Sequence, residues 1–321
     1  MQKTAFITGI SGQDGSYLTE YLLSMDYRVT GLVRRNSVAE NQDYRLSNIG
    51  GIKVMYGDVL DQSSLETALK TFQPDEIYNL AAQSHVRISS EIPYFTSQVN
   101  AIGALNMLEA FKSVCPNALY YQASSSEMFG QNIDQDGFQR ETTKMNPVSP
   151  YGCAKLFAYN ITCHYRNAYG LHASNGVLFN HESPRRGSNF VTNKIVKAAV
   201  LIKKGKLKTL ELGNLDSYRD WGHSYDYVRA MYLINTAEIP SDYVVATGES
   251  HSVREFCSYV FNKLNLNYEE YVTQNPKYMR PEELKILRGD SSKVRSELGW
   301  TPKYTFELLL DELIDYWQLR L

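Results

Sequence analysis

The chain has 321 residues, 43% of them hydrophobic and 21% charged, which suits a soluble globular protein with a sizeable core and one large or two modest domains. A net charge of -2 leaves no electrostatic footprint for nucleic acid or for an acidic membrane surface as a partner. The four cysteines form no C-x-x-C pair and the six histidines no ligand spacing, so neither a structural metal nor a disulfide framework is expected.

In chain order, Thr4-Ala-Phe-Ile-Thr8 reads as a strand with no apolar leader before it, and no later stretch approaches the ~18 apolar residues of a membrane span. The expected location is cytoplasmic. Gly9-Ile-Ser-Gly12-Gln-Asp-Gly15 follows the strand at once, and Tyr17, Leu18, Tyr21 and Leu22 then carry helical spacing. A glycine-rich turn between strand and helix lets the backbone approach a pyrophosphate, which sits on the free N–H groups at the helix start. Arg28 to Val33 is a second strand and ends in Arg34-Arg35, with no Asp or Glu to bind a ribose 2′-hydroxyl. Guanidinium forks suit a 2′-phosphate, so NADP is favoured over NAD. The competing reading is a pair of solvated strand-end charges.

A third strand, Lys53 to Tyr56, leads to Gly57-Asp58-Val59, where Asp58 suits either an adenine contact or the cap of the next helix, expected over 63–72. Glu76 to Ala82 reads as a fourth strand, and its small pair Ala81-Ala82 allows close passage beneath a cofactor. A helix is expected from Val99 to Ser113, then a buried strand from Leu119 to Ala123 running into Ser124-Ser-Ser-Glu127. Pro147 and Pro150 suit a helix start, after which Tyr151 and Lys155, four apart, share one face. An ammonium beside a phenol is expected to lower its pKa from the ordinary value of about 10. Y-x-x-x-K alone is a weak signal, equally met by an aromatic and a lysine on a half-exposed helix.

Ala173 to Phe179 is a sixth strand, followed by a polar loop, Asn180-His-Glu-Ser-Pro-Arg-Arg-Gly187. Beyond it come a helix over 190–203 and a strand over 243–248. Strands alternating with helices argue for an α/β fold with a doubly wound parallel sheet. The expected division is a dinucleotide-binding domain over 1–178, with 214–250 returning to it, and a substrate portion over 179–213 and 251–321. The latter would form a smaller C-terminal lid over the carboxyl edge of the sheet.

With G-x-x-G-x-x-G, Ser-Ser-Ser-Glu, Y-x-x-x-K and N-H-E-S-P-R-R-G in this order, the sequence resembles an extended short-chain dehydrogenase/reductase. More narrowly, it resembles the GDP-mannose 4,6-dehydratase family over essentially its whole length, in strings such as Gly9-Ile-Ser-Gly-Gln-Asp-Gly-Ser-Tyr-Leu18, Ala82-Gln-Ser-His-Val86 and Arg219-Asp-Trp-Gly222. The resemblance implies a lyase with NADP as cofactor and a GDP-sugar as substrate. Its catalytic residues would be Ser125, Glu127, Tyr151 and Lys155. Tyr151 would take the sugar O4 proton while a hydride leaves C4, Lys155 would hold the nicotinamide ribose, and Glu127 would move a proton from C5 to the departing C6 hydroxyl.

By the same resemblance, Gly9, Gly12, Gln13, Asp14, Gly15, Arg34, Arg35, Asp58, Val59, Leu80, Ala81, Ala82 and His181 would join Tyr151 and Lys155 around the cofactor. Ser84, Asn180, Val191, Lys194, Arg219, Arg280 and Glu283 would hold the GDP-sugar together with Glu127; Arg219 and Glu283 also suit buried ion pairs. The loop from Arg34 to about Arg45 would mediate self-association to a dimer or tetramer. Two positions depart from the family's pattern: Ser125, where Thr is common, and Asn193, where Arg is frequent. Both bear on whether the sugar is mannose or a bulkier manno-heptose. Rival readings are an NADP-dependent nucleotide-sugar epimerase or 4-reductase, which needs no Glu127, and a catalytically idle dinucleotide-binding scaffold.

Overall fold

In the computed structural model, which describes residues 2–35, 45–47 and 49–321, six successive strands set the frame. They are β1 (Thr4–Thr8), β2 (Arg28–Val33), β3 (Lys53–Tyr56), β4 (Glu76–Asn79), β5 (Leu119–Ser125) and β6 (Ala173–Leu178). With a seventh strand, Asp242–Val245, they form one sheet in the order β3-β2-β1-β4-β5-β6 and then the seventh. Every pairing is parallel. The chain therefore starts in the middle of the sheet and winds outward both ways, which gathers the carboxyl ends of β1, β4, β5 and β6 into one crevice.

Helices cover both faces, so the inner strands are buried throughout and read as continuous apolar or small runs without alternation. On one face Leu18 and Leu22 of Gln13–Ser24, Val228 and Met231 of Ser224–Asn235, and Val294 and Trp300 pack with Ala5, Ile7 and Val245. On the other, Leu65 and Leu69 of Gln62–Phe72 and Met107 and Phe111 of Gly103–Val114 pack with Phe6, Ile77 and Tyr120. Ala5 and Ile7 point one way and Phe6 the other, as a strand's period of two requires.

Three expected elements differ in detail. The fourth strand stops at Asn79 because the Thr8 hydroxyl accepts the N–H groups of Leu80 and Ala81, at 3.1 Å each, and turns the chain out of the ladder. The expected helix from Val99 opens with wider π turns over Gln98–Ile102 before Gly103–Val114. The polar loop begins with a short strand, Asn180–Glu182, parallel to Trp221–His223. A separate core lies in the C-terminal part, where Ile195 and Val196 of Val191–Lys203, Phe256 and Phe261 of Val253–Lys263, and Leu309 and Leu313 of Phe306–Arg320 pack together with Trp221. Among the described residues no helix is long and apolar enough to cross a membrane, and no His/Cys/Asp/Glu group could hold a metal ion.

Candidate active site

A cavity of about 600 Å³ opens at the carboxyl ends of the strands, between the sheet and the C-terminal part. β5 runs straight into it. At the strand end the Ser125 hydroxyl accepts the N–H of Glu127 at 3.3 Å, folding a single 3-10 turn, Ser126–Phe129, that carries the buried Glu127 side chain to the cavity wall. The facing helix, Pro150–Tyr169, starts cleanly because Ser149 accepts from Gly152 N–H at 3.0 Å and Pro150 occupies the first turn. That start brings Tyr151 and Lys155 onto the same cavity, both buried.

The Lys155 ammonium donates to the Ala123 carbonyl at 2.9 Å and stands 5.8 Å from the Tyr151 ring centre. Burial pushes it down to about 8, with Asp14 pulling the other way. The expected lowering of the phenol by this lysine is corrected: burial pushes Tyr151 up to about 12. A hydrogen bond with Ser125 and the charge of Arg186 oppose the rise, while Glu127 and Asp14 add to it. The physical reason is that burial desolvates the phenolate, while the ammonium stands 5.8 Å from the ring centre and is bonded to the Ala123 carbonyl.

The glycine turn fits a pyrophosphate. Gly9 has φ 71 and lies so close to the chain after β4 that a Cβ there would come within 2.9 Å of Ala81 N. A Cβ on Gly15 would lie 2.3 Å from the Gly9 carbonyl oxygen, backbone against backbone. Helix Gln13–Ser24 begins at Gly12 with no side-chain cap, so its leading N–H groups and positive dipole end are open to an anion. Asp14 in this first turn would oppose one, but His181 neutralises it across 2.9 Å. Burial would raise Asp14, but the charge and hydrogen bond of His181, the charge of Arg186 and the hydrogen bond from Gln13 together outweigh it and hold the carboxyl below the ordinary range; His181 is held above its own, against burial. Gln13 ties the pair down, donating to Asp14 Oδ1 at 3.2 Å and to the His181 carbonyl at 3.1 Å.

Of the other expected cofactor contacts, Leu80 and Ala82 line the cavity, while Ala81 packs beside Gly9 outside it. Arg34 and Arg35 are exposed at the end of β2, Arg34 lying 5.9 Å from the Phe95 ring centre. Val59 is buried in the core between sheet and helices. Asp58 accepts the Leu60 N–H at 3.0 Å, and the cap of helix Gln62–Phe72 falls to Asp61, which corrects the capping alternative for Asp58. Residues 36–44, most of the expected association loop, lie outside the described residues.

The opposite wall carries charge. Arg219 is buried and pushed down to about 10 by burial and by the neighbouring Arg280. Arg280 Nη1 donates to Glu127 Oε1 at 3.1 Å, and Glu283 lies 4.0 Å from Arg280 Nε and 3.9 Å from Arg219 Nη2. Lys194 donates to the Glu211 carbonyl at 2.6 Å with its ammonium 3.7 Å from the Tyr278 ring centre. Ser84, Val191 and Asn180 complete the expected set on this cavity. The Asn180 side-chain oxygen is buried with no hydrogen-bond partner among the described residues, so a polar ligand has an acceptor to meet.

The family model for GDP-mannose 4,6 dehydratase matches residues 6–313. GDP-mannose 4,6 dehydratase 1 of Arabidopsis thaliana is 50% identical over 98% of this chain and 89% of its own length. The chain belongs to the GDP-mannose 4,6-dehydratase family. The human GDP-mannose 4,6 dehydratase is 43% identical over 98% of this chain and 91% of its own. In fold, dTDP-glucose 4,6-dehydratase of Bacillus anthracis superposes with a TM-score of 0.85 at 22% identity, covering 99% of this chain and 97% of that one. The extended short-chain dehydrogenase/reductase architecture read from the sequence is thus the one observed.

For a GDP-mannose 4,6-dehydratase, the departure at Asn193 takes on a structural meaning. Its amide donates to the Arg186 carbonyl at 2.5 Å and accepts from Trp317 Nε1 at 3.0 Å, so it stitches the last helix to the cavity loop and does not line the cavity. Sequence reasoning passed over several cavity residues. Arg186 lies 3.6 Å from the Phe190 ring centre and pairs with Glu182 at 3.2 Å, and the His85 ring meets the same Phe190 at 4.9 Å, tilted by 40°. The second arginine of N-H-E-S-P-R-R-G carried the signal for the first, and the string Ala82-Gln-Ser-His-Val86 contained His85 without a role being read for it.

Proposed function

We propose that this protein dehydrates GDP-mannose to GDP-4-keto-6-deoxymannose with NADP as its resident cofactor, in the cytoplasm and as a dimer or tetramer. One observation carries the reading: a buried carboxylate, Glu127, shares the cavity with Ser125, Tyr151 and Lys155. An epimerase or 4-reductase needs the tyrosine and lysine but no acid at this place. The NADP preference is supported by Arg34 and Arg35 at the end of β2, with Asn36 and Ser37 next in sequence in place of an Asp or Glu.

The dinucleotide, which the Gly9–Gly15 turn together with Tyr151 and Lys155 would hold, would supply the acceptor for the C4 hydride and its donor at C6. Tyr151 accepts the O4 proton as the C4 carbonyl forms, with Ser125 hydrogen-bonded to both phenol and sugar oxygen. The ketone acidifies C5, and the Glu127 carboxylate takes the C5 proton and passes it to O6 as the C6–O bond breaks and water leaves. A proton then returns to C5 as C6 is reduced, balancing the one taken from O4. Lys155 holds positive charge beside the Tyr151 phenolate until it takes the O4 proton. On the far wall, Lys194 and Arg219 meet the diphosphate and Asn180 and Glu283 the polar groups of the nucleotide sugar.

Mannose is preferred to a manno-heptose because Asn193 is committed to Arg186 and Trp317 away from the cavity, leaving Ser125 as the one departure that faces the sugar. Mass spectrometry of the protein with each GDP-sugar, without added reductant, tests this. Loss of 18 mass units, one water, from GDP-mannose is expected. Loss from the heptose alone would reassign the sugar, and reduction or inversion without water loss would hand the case to the reductase or epimerase.

A further inference from the structure

The catalytic carboxylate does not stand alone on its strand end. Its partner, Arg280, comes from 153 residues further along the chain, on the irregular segment between the 3-10 turn Pro276–Tyr278 and the short strand Ile286–Leu287. Arg280 Nη1 donates to Glu127 Oε1 at 3.1 Å, and its side chain is 26% exposed against 7% for Glu127. The guanidinium is in turn held by Glu283, whose Oε1 accepts the Arg280 backbone N–H at 3.2 Å and lies 4.0 Å from Arg280 Nε. Glu283 Oε2 reaches Ser217 Oγ at 3.5 Å and Arg219 Nη2 at 3.9 Å. Acid and base thus alternate along one wall: Glu127, Arg280, Glu283, Arg219.

The geometry points to Arg280 as the positioning residue of the C5–C6 step: it fixes the Glu127 carboxylate for C5 and remains its counter-cation through both proton transfers. This rests on the dehydratase reading above and adds to it a role that phosphate binding alone does not give the arginine. Glu127 passes from carboxylate to acid and back within one turnover, so the neighbouring charge must tolerate both forms. A guanidinium does, because it stays protonated throughout, whereas an ammonium in the same burial can lose its proton. A cation already in place also needs no reorganisation as charge moves between C5, Glu127 and O6. A directed N–H···O bond from Nη1 orients one carboxylate oxygen, Oε1, while Glu283 anchors the Arg280 backbone and lies within ion-pair distance of its guanidinium. Arg219 approaches the same group of charges from the far side, so Glu283 also separates two arginines that would otherwise repel. Water loss then depends on the C-terminal segment being docked, since among the described residues the ion pair of Glu127 is with Arg280, from that segment.

The test is rapid mixing of stoichiometric dinucleotide-loaded protein with GDP-mannose, followed at 340 nm, where the reduced nicotinamide absorbs between the two hydride transfers. The unaltered protein should show little transient. Glu127→Gln serves as the benchmark for a stalled C5 step. Arg280→Met is expected to build up the same 340 nm signal, to lower kcat by roughly 10²-fold, and to slow exchange of the C5 proton in deuterated solvent by a similar factor. Arg280→Lys should stall less, and added guanidinium ion should partly rescue Arg280→Met. A rise in KM with no 340 nm transient and normal C5 exchange would overturn the proposal, leaving Arg280 a phosphate ligand only. Should Arg280→Met fail to fold, Arg280→Lys is read on the same scale, and absence of any transient there counts against the proposal equally. If the unaltered protein removes no water from GDP-mannose, the functional reading itself falls; normal turnover with an unstalled Arg280 variant sinks only this inference.

Discussion

The two walls of the cavity are built on different principles. On the sheet side, two strand ends and two helix starts deliver Gly9, Gly15, Ser125, Tyr151 and Lys155, and the demands are local: a positive φ, a missing Cβ, a hydroxyl at a strand end, two side chains one helical turn apart. On the far side, Lys194, Arg219 and Arg280 arrive from a helix, a two-residue strand and an irregular segment, and they are held by carboxylates and carbonyls contributed from elsewhere. The rigid wall carries the bond-making groups and the irregular wall carries charge. Damage to the first should therefore fall on kcat or on cofactor retention, and damage to the second on substrate affinity or, through Arg280, on the C5–C6 step.

The largest expected effect lies at Tyr151. Tyr151→Phe removes the O4 base and leaves ring and packing in place, so kcat should fall by roughly 10³-fold with KM for GDP-mannose changed little. Steady-state kinetics decide it: a rise in KM matching the fall in kcat/KM would mean that the phenol binds sugar and does not move the proton. Next comes Gly15→Ala. Its new Cβ would sit 2.3 Å from the Gly9 carbonyl oxygen, which no side-chain adjustment can relieve. Forcing the turn apart should cost about 2–3 kcal/mol of stability and weaken dinucleotide binding. Thermal denaturation with and without NADP reads both, and an unchanged melting curve would mean that the turn yields more easily than its backbone contacts imply.

This contrast explains what was legible in the sequence. Six strands, the glycine turn and the Tyr151 helix could be placed because a buried parallel strand is a continuous apolar run and because Gly, Ser and Pro mark the joints. The fourth strand was drawn too long because its end depends on the Thr8 hydroxyl, which lies far away in sequence and captures two N–H groups. The pairing of Arg280 with Glu127 left no local trace at all, since neither residue has a periodic pattern and they meet only across 153 positions. Tyr151 was misjudged for a related reason. Spacing alone revealed the lysine one turn away but not the burial that outweighs it.

That burial gives the catalytic pair a pH signature. With Lys155 lowered to about 8 and Tyr151 raised to about 12, both groups are protonated below pH 8, and between those values the pair holds one proton. The phenolate–ammonium form that chemistry needs is one arrangement of this single-proton state, so its share is constant across that range. Hence kcat/KM, which reports the free protein, should climb about tenfold per pH unit up to a value near 8 and then level off. A flat or falling profile between pH 6 and 8 would show that a different ionisation controls the rate.

The smallest effect is expected at Asn193, and it probes the far wall where that wall is purely structural. The amide is buried, with its N–H donating to the Arg186 carbonyl and its oxygen accepting from Trp317 Nε1. Asn193→Ala leaves a part-buried carbonyl and a part-buried indole N–H without this partner at once, at a cost of about 1–2 kcal/mol partly relieved by water reaching the gap. Because the side chain does not line the cavity, KM for GDP-mannose and the ratio of rates on GDP-mannose and GDP-manno-heptose should both stay where they are. Denaturant titration gives the first quantity and paired kinetics the second. A variant of unaltered stability whose sugar preference shifts would move Asn193 from the scaffold into the specificity wall, and would mean that the bond to Trp317 sets the shape of the cavity from outside it.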